Sequence, residues 1–355
     1  MIDLDGRRFR AAVALRELKA DRLLVTRLVN VRYLTGFTGS HGAVVLAADG
    51  TATLLTDGRY QDQAAAECDG VEVRVEKTLL KPAAELAPRA QWAVETHAMP
   101  VDDHAAFTKE VRFAPVSAGR LVETLREVKD EAEIALLTRA CSYSVAALRK
   151  IWDGPLEGRT ERDIAAELER TMVAYGADGP AFETICAAGE HSAIPHHRPT
   201  GRVVRSGDLL KIDFGARVEG YHADCTRTVV VGRAASWQRE IHAAVRQAQA
   251  LGVAVLREGT TPAEVDALVR ADLEESGWLE RFTTGLGHGV GLEIHEDPFF
   301  GPKRTGRLGD RTVLTMEPGI YLAGRGGVRI EDTVRVTPGD PEVLTRAPTD
   351  LLEIA

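Results

Sequence analysis

Apolar residues recur at helical spacing over residues 7–18, through Phe9, Val13, Leu15 and Leu18. Short apolar runs of strand length follow at residues 23–25, 43–46, 51–55 and 71–75, with helical segments such as 60–67 between them. This alternation predicts an α/β N-terminal domain over residues 1–122. Within it, NVRYLTGFTGSHG (residues 30–42) is dense in Gly, Ser and Thr and is expected to be a loop. TDGRY (56–60) reads as a strand end turning into a helix. Each segment is either an ordinary connection or one that reaches a substrate.

The pattern changes near residue 121. Charged and apolar residues mix at helical period over 121–149, which places a domain junction at 123–129 and a second domain at 123–355. Thr160, with Asp163 three residues on, has the form of an N-cap before ERDIAAELERTMVAYG. Residues 236–257 and 262–276 are two further amphipathic helices. A helix pair thus precedes each of two strand pairs, which predicts an α+β domain built from two similar halves, though the halves are too unlike to count as a sequence repeat.

The first strand pair lies in LLKIDFGARVEGYHADCTRTVVV (209–231), rich in Val, Ile, Thr and Tyr on both sides of a turn at 217–220. Folding it midway between Val218 and Glu219 sets Asp213 opposite Asp224. Opposed side chains have Cβ atoms about 4.5–5.5 Å apart, where like charges destabilise a sheet. Either a cation lies between the two carboxylates or they are solvated aspartates on an edge hairpin, and a bulge near Gly220 would undo the pairing. A second strand pair favours the cation. TVLTME (312–317) and VRIEDTVRV (328–336) are joined through AGRGG, and folding about Gly324 sets Glu317 opposite Glu331. Between the two pairs, GLGHGVGLEIHE (285–296) supplies His288 and His295. Four carboxylates and a histidine form a five-ligand set for two divalent ions sharing bridging oxygens. Hard oxygen donors with one imidazole favour Mn²⁺-like ions over a thiolate-bound structural zinc.

Composition narrows the class. With 355 residues, 44% of them apolar, the chain can bury a sizeable core. A net charge of −9 argues against binding nucleic acid or a membrane surface. Cys68, Cys141, Cys186 and Cys225 show no paired short spacing and read as reduced thiols of a cytoplasmic protein. MIDLDGRRFR has no apolar signal region, and no apolar run approaches a membrane span. GLGHGVG fails as a dinucleotide fingerprint because Val290 occupies the place of the last glycine.

KIDFGARVEGYHADCTRT, GLGHGVGLEIHE, MEPGIY and GVRIEDT, in this order, resemble the signature segments of the pita-bread metallopeptidases, specifically the prolidase and aminopeptidase P group. A looser resemblance runs through NVRYLTGFTGS and TDGRY, in what would be a creatinase-like N-terminal domain. The resemblance implies a pseudo-two-fold catalytic domain holding two divalent metal ions, with Mn²⁺ ahead of Co²⁺ and Zn²⁺, and usually a homodimer. By it, Asp213 is a ligand of one metal, His288 and Glu317 of the other, and Asp224 and Glu331 bridge both. Glu317 is also the general base. The implied reaction is hydrolysis of the bond between an N-terminal residue and a following proline.

Other residues gain roles from the same resemblance. His196, 17 residues before Asp213, matches a substrate-contacting histidine, with its neighbour His197 as the alternative. His295 matches a histidine that stabilises the tetrahedral oxyanion. Arg329 is placed to orient a ligand carboxylate. His41, His97, His104, His191, His222 and His242 read as ordinary histidines, although alternation puts His222 on the strand face of Asp224. Thr284 stands where many relatives carry a histidine.

The expected substrates are proline-containing di- or short peptides. A dipeptidase must grip the free carboxylate of the proline, and a longer peptide would leave that grip unpaired. Arg198 is the candidate cation, or else a solvated loop arginine. Its presence leans the reading towards Xaa-Pro dipeptides, with aminopeptidase P action on longer peptides as the alternative. The 30–42 loop is expected to help set specificity, reaching over the pocket from the same chain or a partner subunit. Non-catalytic pita-bread binding modules and creatinase-like amidinohydrolases lack these ligands and are disfavoured. Methionine aminopeptidases normally lack such an N-terminal domain.

Overall fold

The computed structural model describes residues 2–354. Two compact units divide the chain, Met1–Arg126 and Glu127–Ala355. In the first, the four predicted strands and two that the sequence did not reveal, Trp92–Val94 and Val116–Ser117, form a six-stranded sheet in the order Glu72–Val75, Ala52–Thr56, Gly42–Ala47, Arg22–Val25, Trp92–Val94 and Val116–Ser117. Leu24, Val45, Leu55, Trp92 and Phe107 lie in its core.

Residues 30–42 are not all loop: a helix spans Leu28–Thr35 and ends at Gly36, whose φ of 81° closes it in the left-handed region. Burial overrides the loop-like composition here. Val31, Tyr33 and Leu34 are fully buried, and the Asn30 amide donates to Glu95 Oε1 at 2.6 Å and Glu123 Oε1 at 2.8 Å. The division after Arg126 lies within the 123–129 stretch where the junction was expected, near the end of the helix Leu121–Glu127. Through Glu123 that helix belongs to the first unit, which ends at Arg126.

The second unit begins with the helix Glu131–Trp152, held at its start by a reciprocal capping box of Asp130 and Glu133. Thr160 caps the next helix, Glu161–Ala174, accepting from the Asp163 amide. A four-stranded sheet follows, containing Ile185–Ala188, Leu209–Phe214 and Cys225–Val231. The order then repeats. Helices Ser236–Ala254 and Pro262–Glu275 precede a five-stranded sheet that includes His288–Gly289, Val313–Met316 and Asp332–Arg335. Val230, Ile241, Val245, Val269, Leu314, Met316 and Ile330 share one core between helices and strands.

The two acidic hairpins differ in register. In the first, Glu219 (φ 47°) and Gly220 (φ 77°) form the turn, as a two-residue type I′ loop requires. Val218 therefore pairs with Tyr221 and Asp213 with Thr226. Asp224 is not opposite Asp213 but two residues diagonal to it, a shift that keeps both on one face of the sheet. Between them the backbones approach closely at Gly215, where an added Cβ would lie 1.7 Å from the Ala223 carbonyl oxygen. The second hairpin does fold about Gly324. Gly319–Leu322 pairs with Gly326–Arg329, and Val313–Met316 with Asp332–Arg335, in one continuous register. Glu317 and Glu331 lie opposite each other between these two ladders. A backbone bridge links the hairpins, the Glu331 amide donating to the Thr226 carbonyl at 3.0 Å. Side-chain bonds reinforce it, Thr228 Oγ1 donating to the Arg329 carbonyl at 3.0 Å and Thr333 Oγ1 to the Asp224 carbonyl at 2.7 Å.

Candidate metal centre

Asp213, Asp224, His288, Glu317 and Glu331 line one cavity of about 540 Å³ in the second unit. Asp213 and Asp224 come from the first hairpin, Glu317 and Glu331 from the second, and His288 from the short strand beside Val313–Met316. Thr315 fixes two of them, accepting from the His288 amide at 3.1 Å and donating to Glu317 Oε1 at 3.2 Å. With its Nδ1 at 3.0 Å from the Gly289 carbonyl, His288 turns Nε2 inward, 3.6 Å from Asp224 Oδ2 and 3.4 Å from Glu317 Oε1. Asp224, His288 and Glu331 each offer a ligand atom within 4.8 Å of the others.

Arg329 organises the opposite wall. Its guanidinium is buried and donates to Asp213 Oδ2, to Tyr321 Oη at 2.9 Å, to Thr226 Oγ1 at 3.0 Å and to the Pro195 carbonyl at 3.3 Å. Thr226 passes the contact on, donating to Glu331 Oε2 at 2.6 Å. Behind these carboxylates a second arginine, Arg227, donates to the Thr226 carbonyl at 2.9 Å and to the Glu331 carbonyl. It also donates to Asp332 Oδ1 at 2.7 Å, Ala347 O at 2.8 Å and Pro348 O at 2.8 Å.

The charge balance of the site calls for a cation. Burial pushes the Glu317 carboxyl up to about 7. Burial, then the charge of Glu331, raises Asp224; burial, then Glu317, raises Glu331. Asp213 Oδ1 is buried with no hydrogen-bond partner, which is costly unless something else meets it. Three mutually repelling carboxylates, an orphaned acceptor and an inward imidazole fit a hard divalent ion.

His196 and His295 also line the cavity, and both are exposed in it. The His295 ring packs edge-on against His288, centroids 4.3 Å apart. Burial, then the His288 charge, lowers its pKa. Thr283, Thr284, Phe182, Ile185, Pro195, Ile294 and Phe299 complete the walls. The two remaining residues expected at the substrate lie elsewhere. His197 is buried with Nε2 2.9 Å from Glu161 Oε2, and Arg198 is an exposed side chain 3.5 Å from Glu183. His222 is bonded to the Gly291 carbonyl at 3.0 Å. Thr226, Thr315 and Tyr321 escaped the sequence reading, although two-residue alternation from Asp224 and Glu317 marks both threonines as sharing a face with a ligand.

The sequence profile of metallopeptidase family M24 matches residues 135–338, and that of the creatinase/prolidase N-terminal domain matches residues 7–128. The chain belongs to metallopeptidase family M24. It is 34% identical to the Xaa-Pro dipeptidase of Pyrococcus furiosus over 341 residues, 95% of this chain and 96% of that one. Among solved structures, an Xaa-Pro dipeptidase from Bacillus anthracis superposes with a TM-score of 0.94 at 34% identity, covering 99% of this chain and 100% of that one. An X-Pro aminopeptidase from Thermotoga maritima gives a TM-score of 0.89 at 33% identity, covering 98% and 99%. The fold is therefore the pita-bread fold preceded by a creatinase-type N-terminal domain, and M24 membership implies divalent metal binding. Among the described residues, no helix is long and apolar enough to cross a membrane.

Proposed function

We propose that this M24 enzyme hydrolyses the bond between an N-terminal residue and proline, with Xaa-Pro dipeptides as its leading substrates. The observation that carries the reading is the convergence of Asp213, Asp224, His288, Glu317 and Glu331 on one cavity, in a chain matched end to end by Xaa-Pro dipeptidases. Asp213, with the bridging Asp224 and Glu331, would hold one divalent ion, and His288 and Glu317, with the same bridges, a second. Mn²⁺ is the leading ion for this oxygen-rich set, with Co²⁺ and Zn²⁺ the alternatives. When bound, such ions supply Lewis acidity toward a peptide carbonyl and activate a water.

The chain's own residues do the rest. Glu317, one of the converging carboxylates, takes a proton from the attacking water and returns it to the leaving proline nitrogen. His295, on the imidazole of His288, stands where a developing oxyanion needs a donor, and His196 meets the substrate at the mouth. Phe182, Ile185 and Phe299 give the proline ring an apolar wall. Arg329 holds Asp213 and, through Thr226, Glu331.

One observation favours the second reading, aminopeptidase P action. Arg198, the expected grip for a dipeptide carboxylate, lies outside the cavity, and the lining arginine, Arg329, is already committed to Asp213 and Tyr321. The test is hydrolysis of Ala-Pro against Ala-Pro-Ala by metal-stripped protein reloaded with Mn²⁺, Co²⁺ or Zn²⁺. Cleavage of the dipeptide alone supports the first reading and preference for the tripeptide the second. No metal-dependent cleavage of either sinks both. Sedimentation tests the homodimer carried over from the resemblance.

A further inference from the structure

Glu161, the first residue of the helix Glu161–Ala174, is fully buried outside the metal cavity. Its Oε1 accepts from the Ala188 amide and from His191 Nδ1, both at 2.9 Å. Its Oε2 accepts from His197 Nε2 at 2.9 Å, the Thr200 amide at 3.0 Å and Thr200 Oγ1 at 2.7 Å. A carboxylate has about four lone-pair sites, so this one is saturated. The trio Glu161, His191 and His197 has ligand-like spacing, but its donors and acceptors already satisfy one another. It is a hydrogen-bond hub rather than an ion site.

All five donors lie between residues 188 and 200. The same segment carries His196, next to the pinned His197. On the other side of His196, Lys211 Nζ donates to the Ile194 carbonyl at 2.7 Å and Arg329 Nη1 to the Pro195 carbonyl at 3.3 Å. The main chain is thus held just before His196 and just after it, while the His196 side chain itself faces the cavity. Burial opposes the Glu161 charge, but the donors outweigh it and hold the carboxyl at about 2, so the hub stays ionised across the neutral range.

We propose that Glu161 is a positioning residue of the peptidase site, fixing the 188–200 segment through His197 and Thr200 so that His196 meets the substrate in one place. This rests on the Xaa-Pro peptidase reading for its kinetic half. A misplacement of about 1 Å can cost roughly 100-fold in rate, so a residue with no substrate contact can matter this much.

The experiment pairs Glu161→Gln with His196→Ala in the metal-loaded full chain. It reads Ala-Pro hydrolysis and, separately, hydrogen exchange over residues 188–202. Glu161→Gln is expected to speed exchange there while leaving Leu209–Phe214 protected, and to lower kcat/KM by roughly 10- to 100-fold at unchanged metal content. In the His196→Ala background the same change is expected to cost less than about 2-fold, because coupled residues are not additive. Equal losses in both backgrounds, or unchanged exchange over 188–202, would overturn the proposal. If Glu161→Gln does not fold, Thr200→Val removes one donor and is read the same way. Should the wild type cleave neither Ala-Pro nor Ala-Pro-Ala, the function fails and the exchange result decides the positioning role alone.

Discussion

Stripping the metal should make this protein less stable as pH rises, the reverse of ordinary acid denaturation. Burial moves Glu317 from an ordinary 4.5 to about 7. A group raised on folding contributes stability that is fully present below its unfolded value and is lost as pH rises through its folded value. At about 1.4 kcal/mol per pH unit, that interval costs the ionised Glu317 roughly 3 kcal/mol. Asp224, raised by burial and then by Glu331, and Glu331, raised by burial and then by Glu317, add to the loss. His288 and His295 act oppositely: burial lowers both, so their contribution is present above pH 6.5 and lost as pH falls through their folded values. Their opposition therefore ends at about pH 6.5. From there to pH 8 the decline is unopposed, Glu317 completing the last roughly 1 kcal/mol of its loss as pH passes about 7 and Asp224 and Glu331 adding theirs. The assay is urea unfolding of stripped and Mn²⁺-loaded protein across that window. The stripped midpoint should fall steadily while the loaded midpoint holds, since the cation pairs the carboxylates and binds only the folded chain. A stripped midpoint that is flat or rises from pH 6.5 to 8 would refute the assignment of these acids to a site built for a cation.

Arg329→Met should unpair buried Asp213 and free Tyr321 and Thr226, costing about 3–5 kcal/mol in unfolding free energy and roughly 10- to 100-fold in metal affinity by titration; loss below about 1 kcal/mol would mean the guanidinium supports little. Gly215→Ala should destabilise by roughly 3 kcal/mol or more, because its Cβ meets backbone at Ala223 rather than a side chain that can turn away; calorimetry reads this. Lys129→Met removes a buried partner 2.8 Å from Glu296 Oε1, next to His295, and should destabilise by about 1–3 kcal/mol by the same unfolding assay. Arg198→Ala should leave Ala-Pro hydrolysis within about 2-fold, as befits an exposed ion pair worth under about 1 kcal/mol; a tenfold rise in KM would restore it as the carboxylate grip.

Most of the site was legible because its ligands sit at strand spacing around two turns. Gly324 marks the centre of the second hairpin without ambiguity. The first was misplaced because Val218 and Glu219 look like the midpoint, whereas the I′ geometry needs Glu219 and Gly220 at its corners. A shift of two residues preserves the face of Asp213 and Asp224, so both still line the same cavity. Neighbours in sequence misled more. His196, His197 and Arg198 read as one basic cluster, yet the first faces the cavity, the second bonds buried Glu161 and the third meets solvent. Only the tertiary partner distinguishes them. The helix Leu28–Thr35 was hidden for a similar reason: its stability comes from burying Val31 and Leu34 and satisfying Asn30, not from helix-forming composition.

Arg227 takes Ala347 and Pro348 by their carbonyl oxygens alone. Any amino acid supplies a carbonyl, so Ala347 and Pro348 serve Arg227 through backbone alone, whereas Thr345 is fixed in identity, its buried hydroxyl donating to Asp332 Oδ1 at 2.7 Å and accepting from the Thr333 amide at 3.0 Å. The 345–348 stretch cannot be shortened. Losing this stretch would leave the buried guanidinium without a partner for Nε and with only Asp332 on Nη2, directly behind Glu331, whose own carbonyl it also holds. The segment that looks least chemical thus matters more by its length than by the side chains of Ala347 and Pro348, and trimming it would disturb the backing of Glu331.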